Sequence, residues 1–450
     1  MPPHDTSTDV VRLALVSLGC PKNLVDSEGL LGRLDPARFA LCSDPADADV
    51  AVVNTCGFLE AARTESIETI LELGRLKSAG SLRGLVVTGC LVPRHRADLE
   101  RELPEVDAFL PFADYASIAK VAWRAAGRAV LPSWDDAPLE GARLPLTAAH
   151  TGWLKIAEGC DNPCSFCTIP QIRGGLRSRP IDDLVREATE RAAAGAVELN
   201  LIAQDLTDWG KDLYGRRGLE RLLAALGEVG GIRWLRLLYA YPAHVTPALI
   251  EEMARNDAVL PYLDMPIQHA SASVLRRMKR GMGGDRLKRL FDRLRGAMPD
   301  IALRTTIIVG SPGETDEEFE ELLAFLEEVR FHRLGTFPYS REDGTPAGER
   351  DDQIPEPVKE ERWHRVMALQ QRVSRERNEA LVGTVVSCLV EEPTEEPGVW
   401  LGRTAADAPE IDGTIRIAFD RPAAAGLVGE ARVTGVLGPY DLEGTWIRAT

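Results

Sequence analysis

The chain has 450 residues, 44% of them apolar, and a formal net charge of −16. That length suggests two or three domains, and the composition suits a globular protein with real cores. The charge gives no general help in binding nucleic acid or anionic lipid and instead favours a basic partner. No apolar run reaches the length of a membrane span, so no membrane partner is expected. The start, Met1-Pro2-Pro3-His4-Asp5, has no basic or long apolar region, so no signal peptide is expected and a cytoplasmic location is. Thiols stay reduced in that setting, and the eight cysteines read as metal ligands or catalytic thiols before disulfides.

In chain order, the first section, residues 9–130, alternates apolar runs with helical stretches. Val11–Leu18, Val50–Val53 and Leu85–Thr88 predict buried strands, and Asp26–Leu34 and Glu60–Lys77 predict helices. This alternation implies a parallel sheet covered by helices. Each strand is followed at once by a cysteine: Cys20, Cys56 and Cys90. Ligands of open α/β sheets sit beyond the carboxyl ends of the strands, so the three thiols would converge on one rim.

Residues 131–150, rich in Pro, Ala and Asp, read as a linker. A second αβ series fills residues 146–378. Its expected strands are Trp153–Ala157, Val197–Ile202, Trp234–Tyr239, Tyr262–Met265, Ala302–Val309 and Leu334–Pro338. Helical patterns fall between them at Ile181–Ala194, Leu219–Val229, Pro247–Arg255, Ala272–Lys279 and Asp316–Val329. Six strand–helix units predict a barrel or part of one, with its site at the strand carboxyl ends. Residues 356–380 form a charged helical connector, and residues 379–450 turn to short strands. Val385–Val390, Thr414–Ala418, Gly429–Val436 and Thr445–Ile447 predict a small antiparallel β-barrel.

The strongest chemical signal follows the first barrel strand. Cys160, Cys164 and Cys167 share the loop Glu158-Gly159-Cys160-Asp161-Asn162-Pro163-Cys164-Ser165-Phe166-Cys167. Thiolates are the ligands of iron–sulfur clusters, which usually take four. With only three nearby, one iron stays open to an outside ligand, as binding and splitting S-adenosylmethionine requires. The competing reading is a structural zinc loop, but paired Cys-x-x-Cys or a distal His pair is absent. Cys20, Cys56 and Cys90 repeat this logic from three strand ends; three unrelated buried thiols are the alternative. Cys42 and Cys388 lack either context.

The Cys-x-x-x-Cys-x-x-Cys spacing on the first loop of a six-unit αβ barrel resembles the radical S-adenosylmethionine superfamily. Two open three-cysteine sites in one chain resemble its methylthiotransferases, over nearly all of residues 11–450. That resemblance implies a flavodoxin-like amino-terminal domain, a partial (β/α)6 TIM-like barrel and the small β-barrel known as TRAM. It also implies two 4Fe–4S clusters and S-adenosylmethionine as cofactors, with no catalytic side chain beyond the six cysteine ligands. An electron donor such as flavodoxin or ferredoxin and a monomeric state are expected with it. One branch of this family modifies an adenosine of transfer RNA, the other an aspartate of small-subunit ribosomal protein S-twelve. Ser17–Glu28, Ala240–Thr246, Leu260–Ala272 and Tyr339–Ala347 resemble the second branch. Residues 381–450, with eleven Asp or Glu, five Arg and no Lys, point the same way. An RNA-binding module should neutralise phosphates, whereas an acidic one attracts a basic protein. A solubilising surface is the plainer alternative.

The same resemblance suggests cofactor contacts at Gly174, Gln204, Arg304 and Gly310. Arg173-Gly174-Gly175 either brings backbone groups to the cofactor or is only a turn. Gln204-Asp205 ends the second barrel strand and is followed by Leu206 where the family usually has Thr. His269 either meets substrate or satisfies its own loop. Arg304 either pairs with the cofactor carboxylate or forms a structural ion pair. Gly310 opens the loop Gly310–Thr315, with Ser311 where Phe is common and Thr315 as a helix cap.

Overall fold

The computed structural model describes residues 10–128 and 143–450. Met1–Asp5 and residues 131–142 of the expected linker lie outside the described residues. The chain forms two compact units, Met1–Leu146 with Thr168–Gly175, and Thr147–Cys167 with Leu176–Thr450.

The first unit holds a five-stranded sheet: β1 Val11–Ser17, β2 Phe39–Leu41, β3 Val50–Thr55, β4 Gly84–Gly89 and β5 Ala108–Leu110. Every pair is parallel, in the order β2-β1-β3-β4-β5. That is the doubly wound order of flavodoxin-like folds. All six residues of β3 and of β4 are buried, as strands covered on both faces must be. The sequence reading did not foresee β2 and β5, each only three residues long at an edge of the sheet.

The second unit begins with β6 Thr151–Lys155, followed by a short antiparallel pair, β7 Ala157–Glu158 with β8 Arg177–Ser178. Then come β9 Glu198–Ile202, β10 Trp234–Leu237, β11 Val259–Asp264, β12 Ala302–Val309 and β13 Arg333–Pro338. They form one parallel six-stranded sheet in the order β13-β12-β11-β10-β9-β6. The edge strands β6 and β13 do not pair, so this is a partial barrel. Its core runs through Leu199, Leu201, Leu235, Leu237, Leu263, Ile307 and the helices outside. One of those helices, Gly284–Ala297, was not foreseen. Its Leu287, Leu290, Phe291 and Leu294 make a narrow buried stripe within a highly charged segment.

The long helix Glu356–Leu381 leads to β14 Val385–Pro393, β15 Val399–Thr404, β16 Ile415–Ala418, β17 Val428–Leu437 and β18 Asp441–Ala449. They close a barrel in the order β14-β15-β16-β18-β17. One pair departs from the antiparallel expectation: β16 and β18 run parallel. The 419–427 connection carries the chain past β16, so β18, returning from the β17 hairpin, fills the place beside it.

This small barrel is tied to the amino-terminal half of the large sheet. Glu198, the fully buried first residue of β9, accepts from Arg236 at 2.9 Å and from Arg403 of β15 at 2.5 Å. Arg333, which opens β13, pairs with Asp407 at 2.5 Å. Asp412 accepts from the Tyr262 hydroxyl at 2.9 Å.

Candidate functional site

In the first unit, β1, β3 and β4 lie side by side, and Ser17 pairs with Asn54 and Thr55 with Gly89. Cys20, Cys56 and Cys90 follow these strand ends, so register alone places three thiols on one rim. The rim is fixed by buried hydrogen bonds. The Asn23 amide donates to the carbonyls of Leu18 and Thr55, both at 2.9 Å. Asn54 donates to the Asn23 carbonyl at 2.8 Å and to Ser27 at 2.9 Å. The Ser66 hydroxyl accepts from the Cys56 N–H at 3.1 Å and donates to its carbonyl at 3.0 Å. Gly19 has φ +91°, and a Cβ there would stand 2.9 Å from the Cys56 Cβ. Glycine therefore leaves room beside the thiol that another residue would fill.

The rim holds one further group, the side chain of Arg173, a residue the sequence reading marked only for the backbone of Arg173-Gly174-Gly175. Arg173, with a side chain 2% exposed, pairs with Asp26 at 2.9 Å. It donates to Asn23 Oδ1 at 2.6 Å and to the Cys90 sulfur at 3.2 Å. Its guanidinium lies 4.5 Å from the centre of the Phe112 ring. Gly174, the neighbour expected to matter, caps the helix Ile169–Arg173 and gives its N–H to the Pro170 carbonyl at 3.2 Å. Burial pushes the Cys56 thiol up and the Cys90 thiol to about 12, against the pull of Arg173.

In the second unit, the loop after β7 carries Cys160, Cys164 and Cys167. Ser165 clamps it: its N–H gives to the Met278 carbonyl at 3.1 Å and its hydroxyl to that of Arg277 at 2.8 Å. Two donors point at the thiols. Asn162 Nδ2 lies 3.4 Å from the Cys160 sulfur, and Arg280 Nη1 lies 3.6 Å from that of Cys164. Burial pushes Cys160 up to about 11. Asn162 also donates to Asp205 at 2.7 Å, and His244 Nδ1 lies 3.0 Å from the same carboxylate. His244 stacks on Tyr241, over which Arg280 lies 4.3 Å from the ring centre. Side chains that follow β9, β10 and the helix Ala272–Arg277 thus converge on the cysteine loop. Asp205 was foreseen as facing the site, Tyr241 and His244 lie in the stretch Ala240–Thr246 marked only by resemblance, and Arg280 carries no spacing signal. Asp205, Asp208 and His244 are close enough to share a cation, but Arg217 already pairs with Asp208 at 2.6 Å.

The remaining expected residues are placed as follows. Gln204 donates to Glu158 at 2.7 Å, beside the cysteine loop. Gly310 takes φ +72°, with Lys359 Cγ 2.4 Å from where a Cβ would stand. Thr315 caps Asp316–Val329 in a full capping box with Glu318. His269 is fully buried and its Nδ1 accepts from the Ser271 N–H at 3.0 Å, which is the loop-satisfying reading. Burial pulls its pKa down to about 3, so it is neutral. The contacts of Arg304 are those of the structural ion pair, the other of its two readings. It donates to Asp264 at 2.9 Å and to Asp412 at 3.2 Å, from the third residue of a strand whose carboxyl end is Val309. Its charge is satisfied by the carboxylates that anchor the small barrel.

Three family models match successive parts of the chain. The model of uncharacterized protein family UPF0004 matches residues 12–111, that of the radical SAM superfamily 154–326 and that of the TRAM domain 382–447. A ribosomal protein uS12 methylthiotransferase RimO from Anaeromyxobacter sp. (strain K) is 52% identical over 96% of this chain and 92% of its own. The same enzyme from Geobacter sulfurreducens is 46% identical over 96% and 98%, and that from Lachnoclostridium phytofermentans 43% over 97% and 100%. Among solved structures, the radical S-adenosylmethionine methyltransferase TsrM from Kitasatospora setae shares the fold, with a TM-score of 0.54 at 15% identity over 76% of this chain and 77% of its own.

Proposed function

The chain belongs to the RimO family of radical S-adenosylmethionine methylthiotransferases, and on that premise we propose that it places a methylthio group on the β-carbon of an aspartate in ribosomal protein uS12. The observation that carries this reading is the pair of three-thiol sites, one on adjacent strand ends and one on a single loop. Each donor set suits an iron–sulfur cluster with one iron left open. We assign Cys160, Cys164 and Cys167 to the cluster that binds S-adenosylmethionine, and Cys20, Cys56 and Cys90 to the second 4Fe–4S cluster. When bound, these groups supply the hydrogen-abstracting radical, the sulfur and the methyl group.

The chain's own residues hold and orient. Asn162 and Arg280 give N–H groups to the sulfurs of the radical site. Gln204 and the backbones of Gly174 and Gly310 are the proposed cofactor contacts. The β-carbon carries no proton acidic enough for a side-chain base, so no general base is assigned. His269, buried and held at Nδ1 by the Ser271 N–H, is assigned no role.

The acidic carboxy-terminal barrel supports a basic protein substrate over RNA. Its exposed Arg416 and Arg448 are paired with Glu396 and Glu430 at 2.6 and 2.9 Å, so they offer phosphates little. No helix among the described residues is long and apolar enough to cross a membrane. The reading includes a cytoplasmic monomer reduced by flavodoxin or ferredoxin.

The test is mass spectrometry of small-subunit ribosomal proteins from cells with and without the gene. A uS12 peptide should lose the mass of one methylthio group, at an aspartate, in the deletion strain. An unchanged peptide together with loss of a methylthio group from a transfer-RNA nucleoside would overturn the substrate while leaving the chemistry.

A further inference from the structure

We infer that Arg173 is a positioning residue of the amino-terminal thiol site: it holds the Cys90 sulfur and, with Asp26 as its counter-charge, raises the reduction potential of the metal centre held there. The inference rests on the proposed assignment of Cys20, Cys56 and Cys90 as ligands.

A buried guanidinium is costly unless paired and hydrogen-bonded. Arg173 divides its guanidinium between a carboxylate and a candidate ligand sulfur. Nη1 meets Asp26 at 2.9 Å, while Nη2 serves Asn23 Oδ1 at 2.6 Å and the Cys90 sulfur at 3.2 Å. Asn23 is itself fixed by the Leu18 and Thr55 carbonyls, so it aims the guanidinium at the sulfur rather than following it. The Phe112 ring covers one face, and the arginine and Asp26 side chains are 2% and 7% exposed. Water screens this charge little.

Hydrogen bonds to ligand sulfurs and local charge are main determinants of an iron–sulfur potential. Adding an electron makes the centre more negative, so a fixed cation beside a ligand sulfur favours the reduced form. Asp26 offsets part of that effect. The two side chains should therefore act on the potential with opposite signs, which a purely structural pair would not do.

The test uses the full chain with Cys160, Cys164 and Cys167 changed to Ala, so that only the amino-terminal trio remains. The protein is reconstituted with ferrous iron and sulfide, its iron counted, and its reduced fraction read by electron paramagnetic resonance at fixed applied potentials. R173Q should lower the ratio of reduced to oxidised centre at least tenfold, equivalent to about 59 mV for a one-electron couple. D26N should raise that ratio, and R173K should keep it within about threefold of the parent. Should R173Q fail to fold, D26N still gives the sign. If the parent binds no iron, the ligand assignment falls and this inference with it. Iron bound as expected, with R173Q and D26N both silent or shifting the same way, overturns the inference alone.

Discussion

Single residues at the two thiol sites are shaped by close approach. Gly19 combines a left-handed backbone with a neighbour, the Cys56 Cβ, 2.9 Å from where its own Cβ would be. Gly19→Ala would cost about 1–2 kcal/mol in backbone strain and would crowd the thiol as well. Reconstituted G19A is expected to bind about half the iron of the wild type, the loss confined to the amino-terminal site, as an iron assay per chain would show. Full iron content would mean that the approach is not needed. Arg304 makes the opposite case, a residue at a site-like position with a structural role. Its two carboxylate partners, Asp264 and Asp412, are 1% and 2% exposed. Arg304→Leu should therefore cost about 3–5 kcal/mol by leaving buried charge unpaired. Affinity for S-adenosylmethionine, measured by calorimetry on folded protein, should change less than threefold. A large loss of affinity at unchanged stability would restore the cofactor role.

At the scale of elements, what the sequence made legible follows from burial. Strands β3 and β4 are buried on both faces and read as unbroken apolar runs. The strand β15 escaped, because Gly402 and the fully buried Arg403 interrupt its pattern. Helix Gly284–Ala297 escaped for a related reason: its apolar stripe is only four residues wide within a run of arginines. Cys20, Cys56 and Cys90 were legible as a trio because they follow adjacent strand ends, and Cys160, Cys164 and Cys167 because they share one short loop. The side-chain contacts of Arg173, Tyr241, His244 and Arg280 were not, since each is made only in the folded chain. Caps are legible where their side-chain chemistry is local. Thr315 with Glu318 is such a case, and Thr315→Ala should destabilise the start of Asp316–Val329 by about 1 kcal/mol. Hydrogen exchange of that first turn should quicken about fivefold, while the helix Glu356–Leu381 stays unchanged. An unaltered first turn would show that the cap contributes nothing there.

At the largest scale, the carboxy-terminal barrel and the radical loop sit at opposite ends of the same strands. Glu198 starts β9 and Gln204 lies just past its end, a separation of about 16–20 Å at the rise of an extended strand. The acidic barrel thus stands at a distance from the radical loop and does not line it. Two of its eleven carboxylates, Asp407 and Asp412, are engaged by Arg333 and Arg304 of the large sheet, while Glu391, Glu396 and Glu430 pair with arginines of the small barrel itself. The Arg333 and Arg304 bonds, with Glu198 between Arg236 and Arg403, anchor the barrel. Burial alone would raise the Glu198 carboxyl, but Arg403 and Arg236 hold it down at about 2, from an ordinary 4.5. Between those values the unfolded chain binds a proton that the folded chain does not. The stability this gives is full above pH 4.5 and is lost as the pH falls toward 2. Glu198→Gln removes the anion between two buried cations and should cost about 3–5 kcal/mol at pH 7. Thermal melts of the metal-free chain should show the variant well below the wild type at pH 7, with the gap narrowing step by step below pH 4.5. A gap that stays constant down to pH 3 would mean that packing around Glu198, and not its charge, joins the two barrels.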